Sequence, residues 1–213
     1  MLIGRRHLMT ALGAGLVVPG ALAEAQTPGM MRTPAETLGP FYPVQQPADS
    51  DFDMTRAVGK SGRATGEPMA LTGRVMRLNG QPAAGATIEI WQANAAGRYD
   101  HPSDTSAVPL DPNFPGFALV KADADGRFRV LTVKPGAYTV PSGRRRTPHM
   151  HFQVTTATDR LVTQMYFPGE TLNDQDFLLS SLKQRFGNPD RAIAKLAVAP
   201  QQGVAAYDWQ IVM

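Results

Sequence analysis

Two histidines separated by a single residue, His149 and His151, stand in the stretch RTPHMHF of a chain that holds only four histidines. In an extended strand side chains alternate, so His149, His151 and Gln153 share one face and Met150, Phe152 and Val154 the other. The second face is apolar and suits a core. The first presents two imidazoles side by side, where one metal ion could take both. Imidazole suits iron, copper, zinc and nickel alike. The same pattern also arises from two ordinary polar residues on a solvent-facing strand, so the pair alone leaves the question open.

Few other ligands are available. The chain has no cysteine, which excludes disulfides, iron–sulfur clusters, thiolate zinc sites and a cysteine nucleophile. His7 falls in the N-terminal leader described below, so His101 is the remaining imidazole. No Asp or Glu lies between Gly126 and Thr158. The tyrosines are Tyr42, Tyr99, Tyr138, Tyr166 and Tyr207. Tyr138 is read as ending a strand shortly before His149, so that a loop and a return strand bring the two together. Phenolate is a hard anionic donor and favours a hard, high-valent cation such as Fe(III). A tyrosine is equally at home as a rim or core residue with its hydroxyl satisfied.

The elements that would hold these residues are mostly strands. Hydrophobic residues make up 43% of the 213 positions and charged residues 18%, which suits a soluble globular chain with a real core. Gly and Pro are frequent, with 20 and 18 residues, and point to turns between short strands. LTGRVMRLNGQP carries the turn signal Asn79-Gly80. ATIEIWQA alternates Ile88 and Ile90 against Thr87 and Glu89. KADADGRFRVLTVKPGAYTV holds two strands bracketed by Asp125-Gly126 and Pro135-Gly136. PHMHFQV, RLVTQMYF and the closing YDWQIVM read as three more. Helical spacing enters near Asp174–Phe186 and Pro189–Leu196. The expected fold is mainly β: a β-sandwich of short mixed or antiparallel strands, long wrapping loops and one or two short helices near the C-terminus.

The N-terminus reads differently. MLIGRRHLMTALGAGLVVPGALA has paired arginines, an apolar run and the small-residue sequence Ala21-Leu22-Ala23, the layout of a cleaved export signal. Arg5-Arg6-His7-Leu8-Met9 fits the twin-arginine pattern, with an ordinary secretory signal as the alternative. Residues 1–25 are therefore assigned to the signal, 26–69 to an N-terminal wrapping arm, and 70–213 to a single domain. The expected location is the periplasm. Loss of residues 1–25, which carry Arg5, Arg6 and Glu24, lowers the formal net charge from +3 to +2. No basic stripe remains, so nucleic acid is not an expected partner, and no membrane span is expected in the mature chain.

WQANAAGRYDH, PLDPNF, ADGRFRVLTVKPGAY, RTPHMHF and LVTQMYF, in this order, resemble the intradiol ring-cleavage dioxygenases, and within them the iron-bearing chains of protocatechuate 3,4-dioxygenases. The likeness runs from about Leu71 to Gly169, with a weaker echo in ETLGPFYP. It implies a non-haem Fe(III) held by Tyr99, Tyr138, His149 and His151, with Tyr138 and His151 axial. It further implies that substrate displaces Tyr138, which then accepts a proton, and that Arg146 and Gln164 act on the bound ring while Trp91 lines the pocket. His101 matches no ligand position. The implied reaction is cleavage of a protocatechuate-like or other substituted catechol by O2 to a cis,cis-muconate-type dicarboxylic acid.

Departures from the family bear on the substrate. Val140 stands where a tryptophan follows the tyrosine, and the loop before the histidines is two residues shorter. The long N-terminal segment and paired chain of protocatechuate enzymes, and the helical dimerisation region of catechol enzymes, have no counterpart here; a homo-oligomer fits these departures. Two other classes share parts of the pattern. Turn-rich transthyretin-like or carboxypeptidase-regulatory modules resemble LTGRVMRLNGQPAAGATIEI but need no tyrosine–histidine set. A periplasmic copper-handling protein could use His149 and His151, and would prefer copper or zinc to iron.

Overall fold

The computed structural model of the protein describes residues 30–45, 52–200 and 203–213. The sequence read as an export signal lies outside these residues. Ten strands and one α-helix follow in order: β1 (Pro68–Met76), β2 (Thr87–Trp91), β3 (Phe117–Lys121), β4 (Arg127–Val133), β5 (Tyr138–Thr139), β6 (Arg145–Arg146), β7 (His149–Thr155), β8 (Arg160–Tyr166), α1 (Phe177–Phe186), β9 (Lys195–Leu196) and β10 (Ala205–Val212).

They form two four-stranded sheets, ordered β4-β1-β10-β9 and β3-β2-β7-β8, with β5 and β6 as a separate hairpin. The first sheet is mixed, because β1 and β10 run parallel while β1 and β4 run antiparallel. The second is antiparallel throughout. Alternation decides which side chains meet between them. Ile88 and Ile90 of β2 and Met150, Phe152 and Val154 of β7 join Leu71, Val130 and Ile211 of the other sheet in one buried core. The Phe152 ring lies 4.9 Å from Trp209 and 6.4 Å from Phe128, so it bridges the two layers. This is the expected β-sandwich. Burying each such side chain contributes about 1.5–3 kcal/mol.

The first predicted helix is present, preceded by a single 3-10 turn at Asn173–Gln175 and stopped at Gly187. The segment from Pro189 to Leu196 is not a second α-helix. It makes one 3-10 turn, Asp190–Ala192, and then extends into β9. Its backbone groups are taken by tertiary partners: Trp209 Nε1 donates to the Arg191 carbonyl at 3.0 Å, and Ala194 N donates to the Tyr166 carbonyl at 2.9 Å.

The outer face of the second sheet positions the chemistry. Register places Trp91, His151 and Gln164 in one row across β2, β7 and β8, with His149 and Tyr166 paired in the next. The N-terminal arm crosses this face. Thr33 N donates to the Val212 carbonyl and Glu36 N to the Val162 carbonyl, each at 2.9 Å. Beyond these anchors Phe41 and Tyr42 lie over the site, in an apolar cluster with Trp91 and Tyr99.

Phe152→Ala is expected to destabilise the protein by about 3–5 kcal/mol in a denaturant titration, because the cavity would open between both sheets. A loss below about 1 kcal/mol would mean that the layers do not share this core.

Candidate active site

The site is built where two tyrosine-bearing loops meet the histidine strand. After β2 the chain turns at Asn94, whose Oδ1 accepts from Ala96 N (3.0 Å) and Arg98 N (2.9 Å). Asp104 Oδ2 accepts from Tyr99 N at 2.8 Å and fixes the next step of that loop. The second loop docks on the first, with Gly136 N donating to the Asn94 carbonyl at 2.9 Å. Glycine is required on both sides of the contact. A Cβ at Gly97, where φ is +87°, would lie 2.4 Å from the Ala137 carbonyl oxygen, and one at Gly136 would lie 2.5 Å from that of Ala95. The glycines of GRY and PGAY thus let the two tyrosines approach. Tyr138 begins the short strand β5 rather than ending one, and returns to β7 through the β5–β6 hairpin.

The four residues named as ligands come together. Ring centroids are 5.3 Å apart for Tyr99 and Tyr138, 4.9 Å for His149 and His151, 5.5 Å for Tyr138 and His149, and 6.1 Å for Tyr99 and His151. Both imidazoles and Tyr99 are buried, and Tyr138 is partly exposed. His149 Nδ1 donates to the Thr147 carbonyl at 2.6 Å, which leaves the Nε2 lone pair to face the Tyr138 hydroxyl in a long contact of 3.5 Å. Trp91 is itself buried and stacks on His151 with centroids 4.9 Å apart and planes 13° from parallel. It therefore holds the imidazole in place.

Burial, reinforced by Arg146, keeps the pKa of His149 well below the usual histidine value; His151 is lowered the same way, with His149 as a further cause. Both rings are neutral at pH 7 and can act as ligands. Burial pushes the Tyr99 phenol well above its ordinary value, with Tyr138 adding to the rise. Tyr138 is raised by burial and opposed by Arg146. Among the described residues no group of three or more His, Asp or Glu is placed to hold a metal; the anionic donors available beside the histidine pair are the phenols of Tyr99 and Tyr138. The residues present fit a metal ion. The Tyr99 hydroxyl and His151 Nδ1 are sealed from water without a hydrogen bond of good geometry, an arrangement that costs about 1–3 kcal/mol per atom. A cation between the rings would favour the phenolate forms that burial alone disfavours.

Arg146 and Gln164 sit beside this group in a buried polar network. Arg146 Nε donates to Asp176 Oδ2 and its Nη2 to Gln164 Oε1, both at 2.7 Å. Asp176 Oδ2 also accepts from Thr147 N at 3.0 Å, and Oδ1 caps α1 by accepting from Leu178 N and Leu179 N. Gln164 Nε2 donates to the Thr37 carbonyl at 3.2 Å, and the Tyr166 hydroxyl is hydrogen-bonded with Glu36 Oε2 at 2.8 Å. Asp176, Tyr166 and Glu36 are the members that reasoning from the sequence did not single out. The capping position of Asp176 before an apolar run was the one local signal. His101 lies behind Phe41, with ring centroids 5.8 Å apart, and its Nδ1 accepts from Ser103 N.

A mainly β sandwich carrying a buried two-tyrosine, two-histidine cluster on one outer face is the class of protein at hand. Residues 37–213 match the family model described as Dioxygenase. The protocatechuate 3,4-dioxygenase beta chain of Burkholderia cepacia is 40% identical over 182 residues, covering 82% of this chain and 76% of the relative. The 6-chlorohydroxyquinol 1,2-dioxygenase of Cupriavidus pinatubonensis is 34% identical over 127 residues, but the match takes in 53% of this chain and only 44% of that enzyme. Among solved structures, the dioxygenase domain of a dioxygenase carbohydrate-binding protein fusion from Streptomyces sp. SirexAA-E superposes with a TM-score of 0.64 at 24% identity, covering 86% of this chain and 98% of that one. The chain belongs to the intradiol ring-cleavage dioxygenase family.

Asp176→Ala is expected to destabilise the protein by about 3–5 kcal/mol, since it strands the buried Arg146 charge and uncaps α1. The measurement is the denaturant midpoint with its slope; a change below about 1 kcal/mol would contradict the burial of this pair.

Proposed function

We propose that the protein holds one non-haem ferric ion and uses it to cleave a catechol-type ring between its two hydroxyl-bearing carbons. Both atoms of O2 enter the product, a cis,cis-muconate-type dicarboxylic acid. The observation that carries the reading is the meeting of two neutral imidazoles and two phenols in one buried group, with Arg146 and Gln164 beside them. Tyr99, Tyr138, His149 and His151 would hold the iron. When bound, ferric iron supplies a Lewis acid that lowers the pKa of the catechol hydroxyls and draws electron density from the ring.

The chain's own residues do the rest. Tyr138 is the less buried of the two phenols; as the phenolate that would hold the iron, its oxygen could take a proton from an incoming catechol and leave as the neutral phenol. His149 is kept in one tautomer by the Thr147 carbonyl, so Nε2 stays available throughout. Arg146 is fixed by Asp176 and Gln164 before substrate arrives, so its charge meets negative charge developing on the ring without reorganising. Gln164 is pinned to the arm through Thr37 and aligns its amide with that guanidinium. Phe41 packs against Tyr99 and Tyr138 and keeps bulk water from that side.

Protocatechuate or another substituted catechol is the proposed substrate. The 40% identity to a protocatechuate 3,4-dioxygenase beta chain supports it. Export through a twin-arginine signal is part of the proposal and rests on Arg5-Arg6 and the apolar run that follows.

The test is the visible spectrum of the iron-loaded protein, before and after anaerobic addition of catechol or protocatechuate. A tyrosinate-to-iron absorption that shifts on adding the diol, and vanishes when a chelator removes the iron, is the expected outcome. A protein that stays colourless after reconstitution with iron would overturn the reading. Fractionation should place the processed chain in the periplasm; active, unprocessed protein confined to the cytoplasm would overturn the export proposal.

A further inference from the structure

Glu36 comes from the arm, far in sequence from every residue of the site, yet it completes a closed ring of hydrogen bonds there. Its Oε2 lies 2.8 Å from the Tyr166 hydroxyl. That hydroxyl lies 3.3 Å from Gln164 Oε1 and 3.4 Å from Arg146 Nη2. Gln164 Nε2 in turn donates to the carbonyl of Thr37, the residue next to Glu36. Tyr166 has a single hydroxyl proton and faces two acceptors, Glu36 Oε2 and Gln164 Oε1. Only one of them can receive it.

The proton on Glu36 decides which. A carboxyl group that carries its proton donates it to the Tyr166 oxygen, and the Tyr166 proton then turns to Gln164 Oε1. Gln164 is held by two donors, Tyr166 and Arg146. A carboxylate instead draws the Tyr166 proton to itself, and Gln164 Oε1 keeps only Arg146. The surroundings favour the protonated form. Glu36 Oε1 is sealed from solvent and has no hydrogen-bond partner among the described residues, which a charged carboxylate tolerates poorly. Burial raises the Glu36 pKa to about 7, against the opposing effects of Tyr166 and Arg146. The groups facing it are Tyr166 on β8, Arg146 on β6, Asp176 at the start of α1 and Arg185 in its last turn; the two arginines favour the anion and Asp176 disfavours it.

We propose that Glu36 is a positioning residue for ring cleavage: through the direction of the Tyr166 hydroxyl proton it sets how firmly Gln164 and Arg146 are held beside the substrate. This rests on the function proposed above. Glu36 acts through Tyr166, the side chain to which it is hydrogen-bonded.

The sign follows from linkage. The folded state holds this proton more tightly than the unfolded chain, so the stability it contributes is present below the ordinary value of 4.5 and is lost as pH rises to about 7. Glu36→Gln keeps a neutral donor for Tyr166 and cannot ionise; Glu36→Ala removes the donor. Thermal midpoints of the metal-free proteins are measured from about pH 5 to about pH 8, beside kcat/KM of the iron-loaded proteins over the same range. Relative to wild type, the Glu36→Gln midpoint is expected to rise with pH. Wild-type kcat/KM is expected to fall about three- to tenfold through a limb near pH 7 that Glu36→Gln lacks, while Glu36→Ala is impaired throughout. Parallel midpoint curves for wild type and Glu36→Gln would overturn the proposal whatever the activities. Diverging midpoints with an unchanged activity limb would overturn the positioning role. A wild-type protein that shows no iron absorption fails the functional reading instead, and the two failures are told apart by colour alone.

Discussion

One buried carboxylate, Asp176, receives four donors: Arg146 Nε, Thr147 N, Leu178 N and Leu179 N. They serve three different requirements. The two leucine amides start α1, which otherwise begins with unpaired N–H groups. Thr147 N sets the bend between β6 and β7, and the carbonyl of the same residue fixes the tautomer of His149. Arg146 is neutralised and aimed. Charge-assisted hydrogen bonds of this kind contribute more than neutral ones, about 1.5–3 kcal/mol each against about 1. A helix start, a strand entry, a histidine orientation and a buried guanidinium therefore depend on the same side chain.

The constraint behind this economy is that the site lies on the outer face of a sheet, where water would ordinarily satisfy polar groups. Excluding water from two imidazoles, two phenols and an arginine demands a partner for each. The arm supplies the cover with Phe41 and Tyr42, and with Glu36 and Thr37 it supplies partners for Tyr166 and Gln164, the side chains that flank Arg146. The opposite face of β7, with Met150, Phe152 and Val154, is apolar and packs into the sandwich core. β7 is thus buried on both sides for two different reasons, which explains why His149 and His151 are as inaccessible as Met150 and Phe152.

Period-two alternation made the placement of β7 legible in the sequence, because a strand has only two faces and Met150, Phe152 and Val154 could belong only to the core. The sandwich followed from the same alternation in β2 and from the spacing of turns. Tyr99 and Tyr138 were visible as ligand candidates chiefly through the motifs around them. The physical role of the glycines in those motifs, a loop-on-loop contact, needs three dimensions to be seen. Asp176, Tyr166 and Glu36 were not singled out, since their roles come from contacts made across 29 to 130 residues. The segment after Pro189 has helical spacing, yet Trp209 and Tyr166 claim its backbone groups and it extends, a case of tertiary partners outweighing local pattern.

Thr33 of the arm exchanges hydrogen bonds with Val212, 179 positions further along, and β10 is paired in parallel with β1. Contacts so distant along the chain are the last that synthesis makes available and the slowest to find one another. The Thr33 end of the arm cannot be seated until β10 has been made and has inserted between β1 and β9. Fastening of the arm at Thr33 is therefore a late folding event, which follows completion of the sheet rather than leading it.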